Sequence, residues 1–369
     1  MKKNVVFLLG ADTGGHVVPT FAIAQELEKD PNLEVFVIGV GSGIEKKFYG
    51  KLSRAKYLKI IAGKSQFGSW AKITAALKFG VGLAQSKYLI LKHRPAVIFL
   101  KGNYATLPMA FAARILGRPV VIHESDAVLG RSNKAISGFA KKVFLSYPEE
   151  IYGDKIKNAQ FSGPILRPGF LKSKEKTEAD YKVFDLDKNL SVVLILGGSL
   201  GAQAINKNIF AILPKLLPTC QVIHQTGEGD SQIAAKIRKE MSKDLQKRYF
   251  AKSFIEEEIF CALKIADLVV SRAGSGIFEI AACQKPAILI PYPHAAADHQ
   301  SKNAEYFVEK SAAEIIEDKN LSPTIIYSAI SKLLASENRR KLLAEHFRQS
   351  VKLDGREMVC EYLKKFLNK

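Results

Sequence analysis

A chain of 369 residues exceeds what one hydrophobic core usually organises, so two domains are expected. Hydrophobic residues make up 47% and charged ones 25%, a soluble folded composition, and the scattered Cys220, Cys261, Cys283 and Cys360 exclude a disulfide framework or a cysteine metal site. The formal charge of +19 points to an anionic partner: nucleic acid, an anionic membrane or a phosphorylated substrate.

In chain order, Lys2-Lys3 and the apolar residues after them briefly look like a signal peptide. The run is too short and leads straight into Gly10-Ala11-Asp12-Thr13-Gly14-Gly15-His16, so residues 5–9 read as a first buried strand. A helical pattern follows over residues 17–27. Strand, glycine turn and helix start together aim backbone N–H groups and a positive helix end at an anion. His16 sits where that helix begins. A helix N-terminus favours the neutral imidazole that a general base needs; the alternative is a ring that only orders the loop.

Further strands are expected at residues 35–38, 96–100, 120–123 and 143–145, apolar runs of the kind parallel strands show when both faces are buried. Between residues 46 and 123 there are fifteen Lys and Arg and no Asp or Glu, which favours a functional anionic partner over an ordinary solvated face. Within it, residues 66–91 place Phe67, Trp70, Ile73, Leu77 and Leu83 among Lys64, Lys72, Lys78 and Lys87. Spacings of three and four predict a helix whose apolar side is either core or a partly exposed membrane-docking face. No apolar run reaches the roughly 18 residues that a membrane span requires.

The domain boundary is expected near Gly163-Pro164, giving domains 1–163 and 164–345, with a C-terminal helix of about 346–369 packing back on the first. Residues 172–189 are charged and weakly apolar. The D-x-D of Asp185-Leu186-Asp187 lies in that solvated stretch and not after a buried strand, so it is not read as a metal site. The second half opens with a strand at 192–196 and a second glycine loop, Gly197-Gly198-Ser199-Leu200-Gly201-Ala202. Strands at 221–225, 268–271 and 287–291 follow, then helices at 323–334, opened by Ser322-Pro323, and from 339 onward.

Ser271-Arg272-Ala273-Gly274-Ser275-Gly276 forms a small-residue turn, and Glu279 beyond it can take both hydroxyls of a ribose or merely favour a helix start. Pro291-Tyr292-Pro293-His294, Asp298-His299-Gln300 and Asn303 suit sugar hydroxyls. Neither glycine loop matches G-x-G-x-x-G or carries a Walker lysine, which disfavours dinucleotide and ATP sites, and no cofactor is implied. The whole reads as α/β, with two Rossmann-like parallel-sheet domains facing a cleft that holds a phosphate-bearing ligand.

Thr13-Gly14-Gly15-His16, His123-Glu124, Asn133-Lys134, the loop from Gly197 to Ala202, Ser271-Arg272-Ala273-Gly274 and Asp298-His299-Gln300 with Asn303 resemble, in order and spacing, the motif series of the MurG family. The family consists of peptidoglycan N-acetylglucosaminyltransferases. The resemblance implies a GT-B type fold and an inverting, metal-independent transfer. The donor is UDP-GlcNAc, bound mainly by the second domain, and the acceptor is undecaprenyl-diphosphate-MurNAc-pentapeptide. It places Thr13, Gly14 and Gly15 at the phosphate side of the cleft and Ser199 on the donor diphosphate. Ile255 would meet uracil through its backbone, Glu279 the ribose and Gln300 the GlcNAc hydroxyls. Gly102-Asn103-Tyr104-Ala105-Thr106 is similar to the acceptor-side glycine loop.

The departures are specific. Gly10-Ala11-Asp12 stands where the family has a glycine pair, and Asn103 where it has a second glycine. Ser125-Asp126 replaces Gln-Asn, and Arg167 lies one position out of the usual register. An ionised Asp126 can only accept hydrogen bonds, and it faces the donor diphosphate unless Arg131 or Arg167 neutralises it. It either accepts from a sugar hydroxyl, serves as the base in place of His16, or caps the next turn. The implied protein works peripherally at the cytoplasmic face of the membrane on a lipid-linked diphosphate sugar, and does not bind nucleic acid. A UDP-GlcNAc 2-epimerase and a diacylglycerol glycosyltransferase are the rival readings.

Overall fold

The computed structural model describes residues 4–63, 69–153, 156–171, 175–198 and 201–367, with the backbone alone at 69–72. The chain forms two compact units, residues 1–167 with 352–369, and residues 168–351.

The first unit is built on seven strands: β1 (Asn4–Leu9), β2 (Leu33–Gly39), β3 (Lys56–Lys59), β4 (Val97–Lys101), β5 (Val120–Glu124), β6 (Lys142–Leu145) and β7 (Ala159–Phe161). They pair in parallel in the order β3-β2-β1-β4-β5-β6-β7. Alternation along β1 sends Val6 and Leu8 into one core and Phe7 and Leu9 into the other, so each face needs its own cover. One face is covered by the helix Gly14–Leu27 and by Val359 and Leu363 of the final helix, Gly355–Lys364. The helix Leu107–Ile115 supplies Met109, Ala110, Ala112 and Ala113 to the other. A sheet buried on both faces leaves little place for alternating polar residues, which is why its central strands are apolar until their carboxyl ends, where Lys101, His123 and Glu124 stand.

The second unit repeats the plan with β8 (Val192–Leu196), β9 (Gln221–Gln225), β10 (Tyr249–Lys252), β11 (Leu268–Ser271), β12 (Ala287–Leu289) and β13 (Glu314–Ile315), in the order β10-β9-β8-β11-β12-β13. Ile205, Ile209, Ile212 and Leu216 of the helix Gln203–Leu216 recur at helical spacing and fill its core.

In both sheets the strand order reverses beside the first strand, between β1 and β4 and between β8 and β11. Loops leaving adjacent strands in opposite directions open a crevice at the carboxyl ends, where ligands of this architecture bind. Each glycine loop lies at such a point.

The chain end differs from the single helix expected. One helix, Glu337–Gln349, belongs to the second unit and another, Gly355–Lys364, to the first. Gly355 sits so close to the Pro164 carbonyl that a Cβ would approach its oxygen to 2.5 Å. That contact returns the chain to the first sheet.

Candidate active site

In the first unit, β1 hands the chain to a loop fixed at three successive residues, twice by the helix Gly43–Tyr49 and once by the turn after β4. The Tyr49 hydroxyl donates to the Gly10 carbonyl. Asn103 Nδ2 donates to the Ala11 carbonyl at 2.6 Å, and the Asp12 N–H donates to Glu45 Oε1 at 2.8 Å. Glu45 is fully buried, and its other oxygen accepts from Gly41 N–H (2.8 Å) and the Tyr57 hydroxyl (2.6 Å). Asp12 adopts φ 75°, a left-handed conformation that a non-glycine residue holds only when its surroundings impose it. Its carboxylate bonds the Tyr104 hydroxyl; burial first, then that contact, pushes the Tyr104 phenol up to about 12. Gly10 must be glycine, because a Cβ would lie 2.1 Å from Thr20 Oγ1 and 2.4 Å from the His16 carbonyl.

The helix Gly14–Leu27 then begins with Thr13 at its N-cap but with no side-chain cap bond. The N–H groups of His16 and Val17 bond the Thr13 carbonyl, and those of Gly14 and Gly15 face outward at the helix head, where an anion can meet them. His16, in this first turn, is half-buried, and its Nδ1 is buried with no hydrogen-bond partner. Burial, aided by the Lys101 ammonium, pushes the imidazole down to about 3, so it stays neutral across the physiological range.

At the end of β4, Asn103 Oδ1 accepts from Ala105 N–H at 3.0 Å, capping the turn Tyr104–Thr106. The Asn103 side chain is thus spent on joining two loops. Lys101 is buried, with Nζ donating to Ser125 Oγ at 2.5 Å and lying 3.5 Å from the His123 carbonyl. Burial pulls this ammonium below its usual range, while Glu124 and Asp126 act to raise it.

After β5, the buried Glu124 carboxylate accepts four hydrogen bonds. These come from the N–H groups of Ser125 (2.8 Å), Asp126 (3.1 Å) and Gly130 (2.8 Å), and from Asn133 Nδ2 (2.9 Å). Burial and Asp126 raise its pKa, with Lys101 opposing. His123 donates from Nε2 to the Gly163 carbonyl at 3.1 Å and is held neutral by burial. Asp126 is half-buried and Arg131 exposed, and the Asp126 carbonyl accepts from the Tyr152 hydroxyl at 2.8 Å. Arg167 is half-buried at the end of the unit. The carboxyl ends of β1, β4 and β5 thus gather His16, Lys101, Asn103, Tyr104 and Asp126.

In the second unit, Gly198 (φ 79°) and Gly201 (φ 82°) bend the loop after β8; a Cβ on Gly201 would lie 2.6 Å from the Thr226 carbonyl. Ser199 lies outside the described residues. Gln225, buried at the end of β9, donates from Nε2 to the Gly198 carbonyl (2.9 Å) and accepts Ile255 N–H at Oε1 (3.0 Å). The Ile255 N–H is therefore engaged, and a base meeting this backbone would do so through the carbonyl.

The helix Gln203–Leu216 likewise starts with no side-chain cap bond. Behind it, Asn206 Nδ2 donates to the Thr226 carbonyl (2.7 Å) and Asp230 Oδ2 (2.6 Å), while its Oδ1 accepts from His224 Nε2 (2.9 Å). That leaves Nδ1 of His224 to accept from the Tyr249 hydroxyl at 3.0 Å, and burial pushes the ring down to about 3.

Around β11, Asn303 Nδ2 donates to the Ala273 carbonyl (2.9 Å). Gln300 Oε1 accepts Tyr292 N–H (2.9 Å), which turns its Nε2 toward Gly274. Arg272 donates to the Ile290 and Pro291 carbonyls (3.1 Å each) and to Asp318 (2.5 Å), so it braces the loop after β12. Glu279 is half-buried in the first turn of the helix Ile277–Ala282. Asp187 spends its Oδ1 on the N–H and Nδ2 of Asn189 (2.9 Å each), in a turn where Asp185 has φ 54°.

The family model described as glycosyltransferase family 28 N-terminal domain matches residues 6–145, and that of the family 28 C-terminal domain matches residues 192–357. The chain belongs to glycosyltransferase family 28. A UDP-N-acetylglucosamine–N-acetylmuramyl-(pentapeptide) pyrophosphoryl-undecaprenol N-acetylglucosamine transferase from Trichlorobacter lovleyi is 32% identical over 374 residues, covering 97% of each chain. Its counterpart from Thermodesulfovibrio yellowstonii is 34% identical over 92% of each. Among solved structures, Acinetobacter baumannii MurG superposes with a TM-score of 0.74 over 98% of this chain and 99% of that one, at 23% identity. The fold is the GT-B type of the MurG glycosyltransferases.

Family membership leaves unexplained several polar residues that the motifs did not single out: Glu45, Lys101, Asn206, His224 and Gln225. Each is buried; Lys101 alone closes the otherwise apolar β4, and His224-Gln225 end β9. A polar residue ending a buried strand at a carboxyl edge was the signal available for those three. Glu45 and Asn206 carried none.

Proposed function

We propose that this glycosyltransferase moves GlcNAc from UDP-GlcNAc to undecaprenyl-diphosphate-MurNAc-pentapeptide, the last cytoplasmic step in building the peptidoglycan precursor. The observation that carries the reading is identity of 32% across 97% of both chains with a transferase of that name. The acceptor hydroxyl attacks the anomeric carbon, the bond from that carbon to the UDP oxygen breaks with inversion, and the hydroxyl proton passes to a base. His16, neutral and at the head of the first crevice, is the group for that proton or for orienting the hydroxyl; Asp126 is its rival. Thr13, Gly14, Gly15, Asn103 and Tyr104 form the acceptor side. Ser199, Ile255, Glu279 and Gln300 serve the donor, and Arg167 lies at the end of the acceptor unit. Negative charge on the leaving UDP is met by helix N-termini and backbone N–H groups, without a metal.

The helix Ser69–His93 supports work at a membrane surface. Ile73, Leu77, Val81, Tyr88 and Leu91 are exposed, Ile73 to 52%, Leu77 to 67% and Leu91 to 61%. At 100° per residue these five positions fall within an arc of about 80°. Leu83 instead packs against the core, and Lys78 is exposed on this acid-free stretch. Lys64 and Phe67, and the side chains of Trp70 and Lys72, lie outside the described residues. An apolar stripe with lysines and no acids suits an anionic leaflet, which keeps the enzyme beside a lipid-borne acceptor. Among the described residues no helix is long and apolar enough to cross a membrane.

The test incubates the protein with UDP-GlcNAc and a panel of lipid-linked acceptors and follows UDP and lipid. UDP released in step with glycosylated lipid is the expected result. Interconversion of UDP-GlcNAc with its 2-epimer, or sugar transfer only to diacylglycerol, would overturn the proposal.

A further inference from the structure

We propose that Gln225 is a positioning residue that holds the base-meeting backbone of the donor unit at a fixed distance from its diphosphate loop, so that uridine and diphosphate are recognised as one ligand. The inference rests on the donor reading above. Three neighbouring strands end at one level here: β9 lies between β8 and β10, and Gln225 pairs in register with Leu196 on one side and Lys252 on the other. The chain leaves β8 for the glycine loop and β10 for the segment that carries Ile255. Gln225 reaches both. Its Nε2 donates to the Gly198 carbonyl at 2.9 Å, and its Oε1 accepts Ile255 N–H at 3.0 Å. The same Gly198 oxygen accepts Gly201 N–H at 3.3 Å, so one carbonyl both closes the glycine loop on itself and ties it to β9.

A buried strand end has no need of an amide for packing; an apolar side chain of similar size would cost less. The two loops make opposite demands, one offering an acceptor and the other a donor, and a single planar amide answers both. Exchanging its oxygen and nitrogen would set donor against donor at Ile255 and acceptor against acceptor at Gly198, so its orientation is determined. The strand end that carries the side chain is itself fixed. Thr226 N–H donates to the Lys252 carbonyl and Gly227 N–H to the Ser253 carbonyl, at 3.0 Å each, and Asn206 Nδ2 holds the Thr226 carbonyl at 2.7 Å. The same Thr226 carbonyl packs so closely on Gly201 that no side chain fits there. The end of β9 is thus a rigid bar, with the uracil-meeting segment on one arm of Gln225 and the diphosphate loop on the other.

The experiment uses the full chain with Gln225→Met, which loses both arms, and Gln225→Glu, which keeps the acceptor for Ile255 and, when ionised, loses the donor for Gly198. Calorimetry with UDP is expected to give affinities about tenfold or more below wild type for both variants at about pH 8. A protonated carboxyl regains one O–H donor, and burial raises its pKa. The Gln225→Glu deficit relative to wild type should therefore close several-fold by about pH 5.5, while that of Gln225→Met stays. Neighbouring charges do not disturb the comparison, because burial pushes His224 down to about 3 and Lys252 is paired with Glu258 at 2.5 Å. A side chain that merely fills space gives no such recovery, so equal deficits at the two pH values, or no deficit in either variant, overturn the proposal. Without ligand, amide exchange at Gly201, which keeps its own acceptor, should quicken in both variants at about pH 8; exchange at the wild-type rate also overturns it. If Gln225→Met does not fold, Gln225→Glu decides alone, compared with wild type at each pH. A wild-type protein that takes no UDP refutes the donor reading instead, and Gly201 exchange still decides the role of Gln225.

Discussion

Replacing Glu45 by glutamine is close to isosteric, yet the structure makes it far from conservative. One carboxylate oxygen accepts Asp12 N–H; the other accepts both Gly41 N–H and the Tyr57 hydroxyl. Glutamine retains a single acceptor oxygen. If that oxygen faces Gly41 and Tyr57, the new NH₂ meets the Asp12 N–H donor to donor; the opposite flip leaves two donors unsatisfied. A lost hydrogen bond to a charged acceptor costs about 1.5–3 kcal/mol, and the opposed donors add to it, giving roughly 2–4 kcal/mol in all. For a folding unit of this size that lowers the melting temperature by about 4–16 °C. The damage is also local, because Asp12 holds its left-handed backbone only while tethered. Its relaxation displaces the N–H groups of Gly14 and Gly15. Acceptor KM should therefore rise in Glu45→Gln, while UDP affinity, which belongs to the second unit, stays unchanged. Calorimetric melting and steady-state UDP release read the two effects. A variant melting within 1 °C of wild type with unaltered acceptor KM would refute the tethering argument.

His16→Ala should reduce kcat by about 10²-fold or more, the size of a lost general base. Because burial keeps this ring near 3, kcat/KM of the wild type should show no inflection around 6.5. An inflection there that vanishes in His16→Ala would contradict the buried, neutral ring. His16, His123 and His224 all have folded-state values below the unfolded 6.5, so the unfolded chain binds more protons as pH falls. Their stabilisation is complete above 6.5 and is lost as pH falls, for His16 and His224 down to about 3, at up to about 1.4 kcal/mol per pH unit each; a melting temperature that stays flat from pH 7.5 to 5 would be incompatible with this. Glu279→Ala is expected to weaken UDP-GlcNAc binding by roughly 1.5–3 kcal/mol through the lost ribose contact, and titration calorimetry giving the wild-type affinity would discard that role. Exchanging Lys78 and Lys87 for Glu should abolish co-sedimentation with anionic vesicles at low salt; binding that persists would remove the docking role from the helix Ser69–His93.

The central strands were legible from sequence because burial on two faces forces an apolar run, and β1, β4, β5, β8 and β11 carry one. The strands that went unread were β3, β7, β10 and β13, the outermost strand at each end of the two sheets. Lys56-Tyr57-Leu58-Lys59 and Ala159-Gln160-Phe161 have a neighbour on one side only and stay partly exposed, so selection for apolar residues is relaxed and the pattern fades into that of a loop. The break before Gly355 also went unread, although Asp354-Gly355 is a turn dipeptide; the approach of the Pro164 carbonyl is what requires the glycine there.

The sequence by itself determined the repeated strand–glycine–helix unit, since tight turns and open helix N-termini are local properties of a few residues. It also determined the acid-free basic stretch and, through ordered motifs, the family. Tertiary structure alone decided what supports those loops. Glu45 reaches Asp12 from 33 positions away and Asn103 reaches Ala11 from 92, and a contact at that range leaves no periodic trace in either segment. It likewise set a buried cation beside the turn that follows β5. Arginines at 131 and 167 were the cations visible in sequence, but parallel pairing of β4 with β5 sets Lys101 opposite His123 and so beneath the following turn. Register, a property of the sheet and not of either strand, brought that charge to the site.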